Sequence, residues 1–164
     1  MKKDFISRIN FALSAISLNE SVARSLVGVA IAPLDPTVEE LADIRCAVSE
    51  AVTNAVVHGY KNGNDERKGR AAPLVYISVK LYADKSTVIE IRDRGVGIAD
   101  INKAKEPLFT TDPSGERSGM GFAVMEAFTD SLRVISHVGK GTRVILHKQF
   151  RGKEEASDAI DGKA

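Results

Sequence analysis

Apolar and polar residues alternate with a period of two over residues 75–82: Val75, Ile77, Val79 and Leu81 interleave with Tyr76, Ser78, Lys80 and Tyr82. That is the pattern of a strand with one buried face. Ala83-Asp84-Lys85-Ser86 reads as a turn and Thr87–Arg92 as a second strand, so the two predict an antiparallel hairpin. Ile9, Phe11 and Leu13 alternate within residues 4–13 and predict an edge strand. Two last strands are predicted at Leu132–Val138 and Thr142–Leu146, joined by Gly139-Lys140-Gly141.

Elsewhere the period is helical. Behind Asn19, a good N-cap, Val22, Leu26, Val29 and Ala30 fall at i, i+4, i+7 and i+8 and predict the core stripe of a helix, with Glu20 and Arg24 off that stripe. Pro33-Leu34-Asp35-Pro36 ends it. Thr37 and Glu40 form a capping box that opens a second helix running to about His58, with Leu41, Ile44, Val48, Ala51 and Ala55 inward and Gly59 as terminator. Residues 98–105 predict a short helix, and Gly119-Met120-Gly121 opens another through Phe122, Met125 and Phe128. Residues 61–73 read as an exposed loop. Residues 106–118, with two prolines, two threonines and a glycine, read as a mobile one. The tail from Arg151 is charged and rich in small residues, and disorder is expected there.

Composition narrows the classes. The chain of 164 residues with 43% hydrophobic content suits one domain with a real core, expected over residues 1–150, followed by a polar tail at 151–164. A run of about 18 apolar residues, as a membrane-spanning helix needs, does not occur. The start, Met1-Lys2-Lys3-Asp4, places charge where a signal peptide needs an apolar stretch, so a cytoplasmic protein is expected, without membrane contact. A net charge of +1 argues against direct nucleic-acid binding. The single cysteine, Cys46, excludes an intrachain disulfide and a cysteine zinc site, and its place in the second helical pattern reads as core.

Three stretches carry candidate chemistry. In residues 49–59, Glu50, Asn54 and His58 recur at i, i+4 and i+8 on a helix otherwise made of Val48, Ala51, Val52, Ala55 and Val56. Polar groups on an apolar helix need partners: a metal ion, phosphate oxygens and a substrate hydroxyl are the functional ones, solvent the plain alternative. Asp93-x-Gly95-x-Gly97 follows a strand directly; its glycines admit a close neighbour, and its carboxylate can accept from an exocyclic amine such as that of adenine. Ser118-Gly119-Met120-Gly121-Phe122 sits at a helix start, where free N–H groups favour an anion. It is neither a Walker A sequence nor a Rossmann fingerprint. With the loop at 106–118 between the second and third, they supply in order a metal ligand, an adenine reader, a lid and a phosphate cradle.

Glu50-x-x-x-Asn54, Asp93-x-Gly95-x-Gly97 and Gly119-x-Gly121 together resemble the N, G1 and G2 boxes of the GHKL ATPases, the superfamily of gyrase B, Hsp90, MutL and the histidine kinases. Ser49–Ala55 with His58-Gly59-Tyr60, Pro107-Leu108-Phe109-Thr110-Thr111, and Glu116–Phe122 narrow the likeness to the anti-sigma F family of endospore-forming bacteria. The opening Leu18-Asn19-Glu20-Ser21-x-Ala23-Arg24 is similar too. The resemblance covers roughly residues 8–148; the loop at 61–73 is longer than usual for the family and the tail after Phe150 is extra to it.

The resemblance implies an α/β fold, a two-layer sandwich of the Bergerat type with a mixed, mostly antiparallel sheet and helices on one face. It implies ATP or ADP as nucleotide and Mg²⁺ held by Asn54. Glu50 would be the general base. Asp93 would read the adenine, with Gly95 and Gly97 beside the base and Thr142 supporting it. Ser118, Gly119, Met120, Gly121 and Phe122 would hold the phosphates, with Thr110 and Thr111 in the lid. Arg117 would serve catalysis or docking, and Arg24 would contact a protein partner. The implied function is dual: holding a sporulation RNA polymerase sigma factor inactive, and phosphorylating a serine of the anti-anti-sigma antagonist. The implied assembly is a homodimer through the first strand and first helix. The alternatives are an ATP-gated sigma-binding clamp without transfer, a general-stress anti-sigma kinase, and a histidine kinase catalytic domain, disfavoured because no histidine precedes Asn19.

Overall fold

The computed structural model describes residues 4–60, 73–106 and 120–151. Five strands, β1 (Phe5–Ser14), β2 (Leu74–Tyr82), β3 (Ser86–Arg92), β4 (Ser131–His137) and β5 (Gly141–Gln149), form one sheet in the order β1-β2-β3-β5-β4. Where a mixed sheet was expected, each of its four junctions is antiparallel. β1 is an edge strand, as its short alternation predicts. Register places Phe11 opposite Ile77, Ile77 opposite Ile91 and Ile91 opposite Val144, so one apolar row crosses four strands. The neighbouring row runs from Ile9 through Val79 and Ile89 to Leu146 and Leu132.

Helices α1 (Leu18–Ile31), α2 (Val38–Asn54) and α4 (Gly121–Phe128) cover that apolar face, and α3 (Ile101–Lys105) lies beside α4. Ile44, Val48, Ala51, Val52 and Met125 join Ile77, Val79, Ile89, Ile91 and Leu146 in one core. The alternation in β2 follows from this: its odd residues are buried under the helices and its even ones face outward.

α2 is the spine. Its capping box is complete: the Glu40 N–H donates to Thr37 Oγ1 at 3.2 Å and the Thr37 N–H to Glu40 Oε2 at 2.9 Å. Glu40 Oε1 also accepts the Arg151 N–H at 2.9 Å, tying the start of α2 to the chain leaving β5. At its far end the helix continues as one π-helical turn, Ala55–Gly59. Such turns inside α-helices occur mostly as single bulges and often at functional sites.

The first helix differs from expectation. Its cap position is Ser17, not Asn19; Asn19 Nδ2 instead donates to the Ser14 carbonyl at 2.9 Å, fastening α1 to the end of β1. The buried residues are Ala23, Val27, Ala30 and Ile31, whereas Val22, Leu26 and Val29 are exposed, Val29 at 74%. The helix has two apolar stripes. The narrower one, Ala23, Val27 and Ala30, lets α1 pack closely on α2 and the sheet, and the bulkier one turns outward. Cys46, read as core, is exposed on α2. The tail, the greater part of the 61–73 loop and the lid residues 107–118 lie outside the described residues.

Candidate functional site

Glu50 and Asn54 project, half-buried, from the last turns of α2, one turn apart. The start of α4 packs directly on them. A Cβ placed on Gly121 would lie 2.9 Å from Glu50 Oε2 and 3.5 Å from both Oδ1 and Nδ2 of Asn54. Glycine leaves the backbone of the helix start against a carboxylate and an amide, with room that any side chain would fill. Met120 occupies the cap position, exposed, and its carbonyl accepts the Val124 N–H at 2.9 Å. Phe122, expected among the phosphate-holding residues, is half-buried and packs on the hydrophobic core. Thr110, Thr111, Arg117, Ser118 and Gly119 lie outside the described residues.

Asp93 stands further along the same helix, against Gly59 at the end of the π turn. It follows β3 directly and is 4% exposed. Its Oδ1 accepts the Gly95 N–H at 2.8 Å and the Thr142 N–H at 3.2 Å, while its own N–H donates to the Thr142 carbonyl at 2.9 Å. These bonds fix the side chain through Oδ1. Burial pushes the carboxyl above its ordinary range, and the N–H groups of Gly95 and Thr142 draw it only part of the way back.

Close backbone approach makes this corner. A Cβ on Gly59 would lie 3.0 Å from Asp93 Cγ and Oδ1. Gly95 abuts the Gly59 backbone, and the Val96 N–H donates to the Gly59 carbonyl at 2.9 Å. Gly97 (φ 73°) abuts the His137 carbonyl, and Gly141 (φ 88°) abuts that of Asp93. At both, positive φ and a neighbouring carbonyl exclude a side chain. The glycines of Asp93-x-Gly95-x-Gly97 thus dock β3 onto the end of the π turn and onto the β4–β5 turn.

Several residues of this corner are given no role by the sequence. Tyr60 Oη accepts the Arg94 N–H at 2.7 Å and donates to the Leu74 carbonyl at 2.8 Å. Ser136 Oγ accepts the Ile98 N–H at 2.8 Å and lies 2.8 Å from Thr142 Oγ1. Gly59, expected only to end a helix, makes the space for Asp93. On α1, Glu20 Oε1 accepts from Ser49 Oγ and lies 3.7 Å from Arg24 Nε. Arg24 is therefore held toward α2, on the side of that helix that carries Ser49.

The donor set suits a nucleotide with a hard cation. An amide oxygen, of the kind that suits Mg²⁺, and a carboxylate stand beside the start of α4, and a helix N-terminus favours phosphate oxygens. A buried acceptor stands at the far end, where an exocyclic amine can donate.

A family model for the histidine kinase-like ATPase domain matches residues 15–148, and the chain belongs to that family. Among solved structures, the RsbU and RsbW domains of Rv1364c from Mycobacterium tuberculosis superpose with a TM-score of 0.59 at 20% identity, over 88% of this chain and 33% of that one. The histidine kinase domain of the blue-light activated kinase of Erythrobacter litoralis EL346 gives 0.51 at 18% identity, over 87% and 65%. Both show the fold; the chain spans about a third of the Mycobacterium chain's length. Within the family the particular group is that of the anti-sigma F factors. Those of Priestia megaterium and Shouchella clausii (strain KSM-K16) are each 49% identical over 144 residues, covering 88% of this chain and 93% of the relative.

Proposed function

We propose that this protein is an anti-sigma factor that binds a sporulation RNA polymerase sigma factor and holds it inactive, and that it uses Mg-ATP to phosphorylate a serine of its anti-anti-sigma antagonist. The observation that carries this reading is the placing of both ends of a site along one helix: Gly121 against Glu50 and Asn54, and Asp93 against Gly59. From Glu50 to Gly59 is nine residues, about 13 Å of helical rise, the scale of an extended nucleoside triphosphate.

In this reading Asp93 accepts the adenine amine, the backbone of Gly95 and Gly97 lies beside the base, and Thr142 supports its edge. The N–H groups at Gly121, with Met120 and with Ser118, Gly119, Thr110 and Thr111 beyond the described residues, take the phosphates. Asn54 contributes an amide oxygen to Mg²⁺, which when bound neutralises phosphate charge. Glu50 orients the attacking serine hydroxyl and takes its proton as the new O–P bond forms and ADP departs. Arg117 serves either the developing phosphate charge or the partner. Arg24, held beside Glu20 and Ser49, contacts the protein partner. The described residues contain no cluster of three or more His, Cys, Asp or Glu fit for a metal ion, so the cation proposal rests on Asn54.

The same proposal takes residues 1–150 as one domain working in the cytoplasm as a homodimer. What supports the dimer is the outward apolar stripe of Val22, Leu26 and Val29 on α1 and the exposure of Phe5, Ile6 and Ile9 on the edge strand. Among the described residues no helix is long and apolar enough to cross a membrane.

The sigma arm is tested by mixing the purified protein with the sporulation sigma factor of its organism and Mg-ATP. A stable complex and loss of sigma-dependent transcription in vitro are expected, with the complex weakened in Arg24→Ala. A sigma factor that transcribes equally well with and without the protein contradicts this arm.

A further inference from the structure

We propose that Ser136 is a positioning residue that fixes the hydrogen-bond polarity of the base pocket, making Thr142 a pure acceptor beside Asp93 and so favouring an adenine over a guanine nucleotide. This rests on the reading of the corner around Asp93 as a base pocket.

Ser136 lies on β4 directly opposite Thr142 on β5. Its Oγ has three neighbours: the Ile98 N–H at 2.8 Å, the Gly141 carbonyl at 3.1 Å and Thr142 Oγ1 at 2.8 Å. A hydroxyl has one proton and two acceptor positions. The Ile98 N–H can only donate and the Gly141 carbonyl can only accept. The Ser136 proton is therefore committed to Gly141 and one acceptor position to Ile98. The remaining position takes the Thr142 proton. Thr142 Oγ1 is left with lone pairs alone.

The backbone of Thr142 is committed as well, since its N–H donates to Asp93 Oδ1, which also holds the Gly95 N–H. The groups left at this edge are Asp93 Oδ2 and Thr142 Oγ1, both acceptors. Adenine carries an amino donor at its six position, and guanine carries a carbonyl acceptor there. In the same pose guanine brings an acceptor against acceptors, and unpaired polar groups of this kind are a strong basis for rejection. Removing the Ser136 hydroxyl releases the Thr142 proton, which can then turn and donate to the guanine carbonyl. It also deprives the Ile98 N–H of its partner, next to Gly97.

The test is calorimetric titration of the full chain with Mg-ATP and Mg-GTP, for wild type, Ser136→Ala and Ser136→Thr, with thermal melting of each. Wild type is expected to prefer ATP. Loss of one hydrogen bond predicts that Ser136→Ala binds ATP about 3- to 10-fold more weakly, while GTP affinity holds or rises, so the ATP-to-GTP ratio narrows. Ser136→Thr, which keeps a hydroxyl, restores the ratio. A merely structural serine would lower both affinities together. If Ser136→Ala fails to fold, Thr142→Val removes the hydroxyl that Ser136 orients and must narrow the ratio in its place. An unchanged ratio in a folded variant, or a wild type that binds both nucleotides equally, overturns the role of Ser136 and leaves the nucleotide site standing. A wild type that binds neither nucleotide overturns the site itself, and this inference with it.

Discussion

Asp93 links burial to recognition. A carboxylate accepts from an amine best when ionised, and this one is held above the ordinary carboxylate range by burial, which the N–H groups of Gly95 and Thr142 only partly offset. Nucleotide affinity is therefore expected to decline as pH falls through that raised pKa, at a less acid pH than an exposed aspartate of about 3.9 would give. Titrations from neutral pH downward check this. The stability of the nucleotide-free protein moves the other way: the folded state holds this proton more tightly than the unfolded one, so the Asp93 contribution is most favourable below the unfolded pKa and declines as pH rises through the folded one. Asp93→Asn keeps an oxygen for Gly95 and Thr142 but turns the Oδ2 acceptor into an amino donor. It should melt near wild type and bind ATP about 10- to 100-fold more weakly, as calorimetry would show. Glu50, Asn54 and Asp93 were legible in the sequence because helical spacing and a strand-ending glycine motif mark them. Ser136 was not, because one serine in a strand has no period to betray it and its partners come from β5 and the segment after β3.

At the scale of elements, α2 carries the site and its start is secured at a distance. Burial raises the Glu40 carboxyl, but the N–H groups of Arg151 and Thr37 outweigh it and hold the pKa below its ordinary value. Its contribution to stability is then present above the unfolded pKa and lost as pH falls through the folded one. Glu40→Ala is expected to cost about 1–2 kcal/mol in urea unfolding at neutral pH, with the deficit shrinking in acid. At the other end, Gly121→Ala would press a methyl on Glu50 Oε2, 2.9 Å from where its Cβ would sit. The carboxylate is the flexible end of its side chain and can yield. The expected outcome is a folded protein with weakened nucleotide binding, read by melting and calorimetry together. The capping box of α2 was legible because it is local chemistry within four residues. The buried face of α1 was not, because the helix has two apolar stripes and only packing decides between them. Spacing favours the bulkier Val22, Leu26 and Val29, while close approach to α2 and the sheet selects Ala23, Val27 and Ala30. The π turn at Ala55–Gly59 was equally silent, since Gly59 reads as a helix stop wherever the last turn widens.

For the whole molecule, five strands under helices followed from the strand alternation and the family likeness, whereas the junctions between them are all antiparallel where that likeness implied a mixed sheet. The outward stripe of α1 then becomes a surface with a consequence. In the proposed dimer, Leu26→Asp is expected to shift the protein to monomer in light scattering and to lower the melting temperature only by what association contributes, because Leu26 is 41% exposed in the single chain. In the proposed function one site along α2 both binds Mg-ATP and delivers its phosphate to a protein serine. The most direct measurement is transfer from γ-labelled ATP to the candidate anti-anti-sigma protein by wild type, Glu50→Ala and Asn54→Ala. Wild type is expected to yield a labelled phosphoserine, Glu50→Ala to lose it while ATP binding survives, and Asn54→Ala to lose both transfer and Mg²⁺-dependent binding. Tight Mg-ATP binding by wild type without any label on the partner would contradict the proposed function and leave a nucleotide-gated clamp.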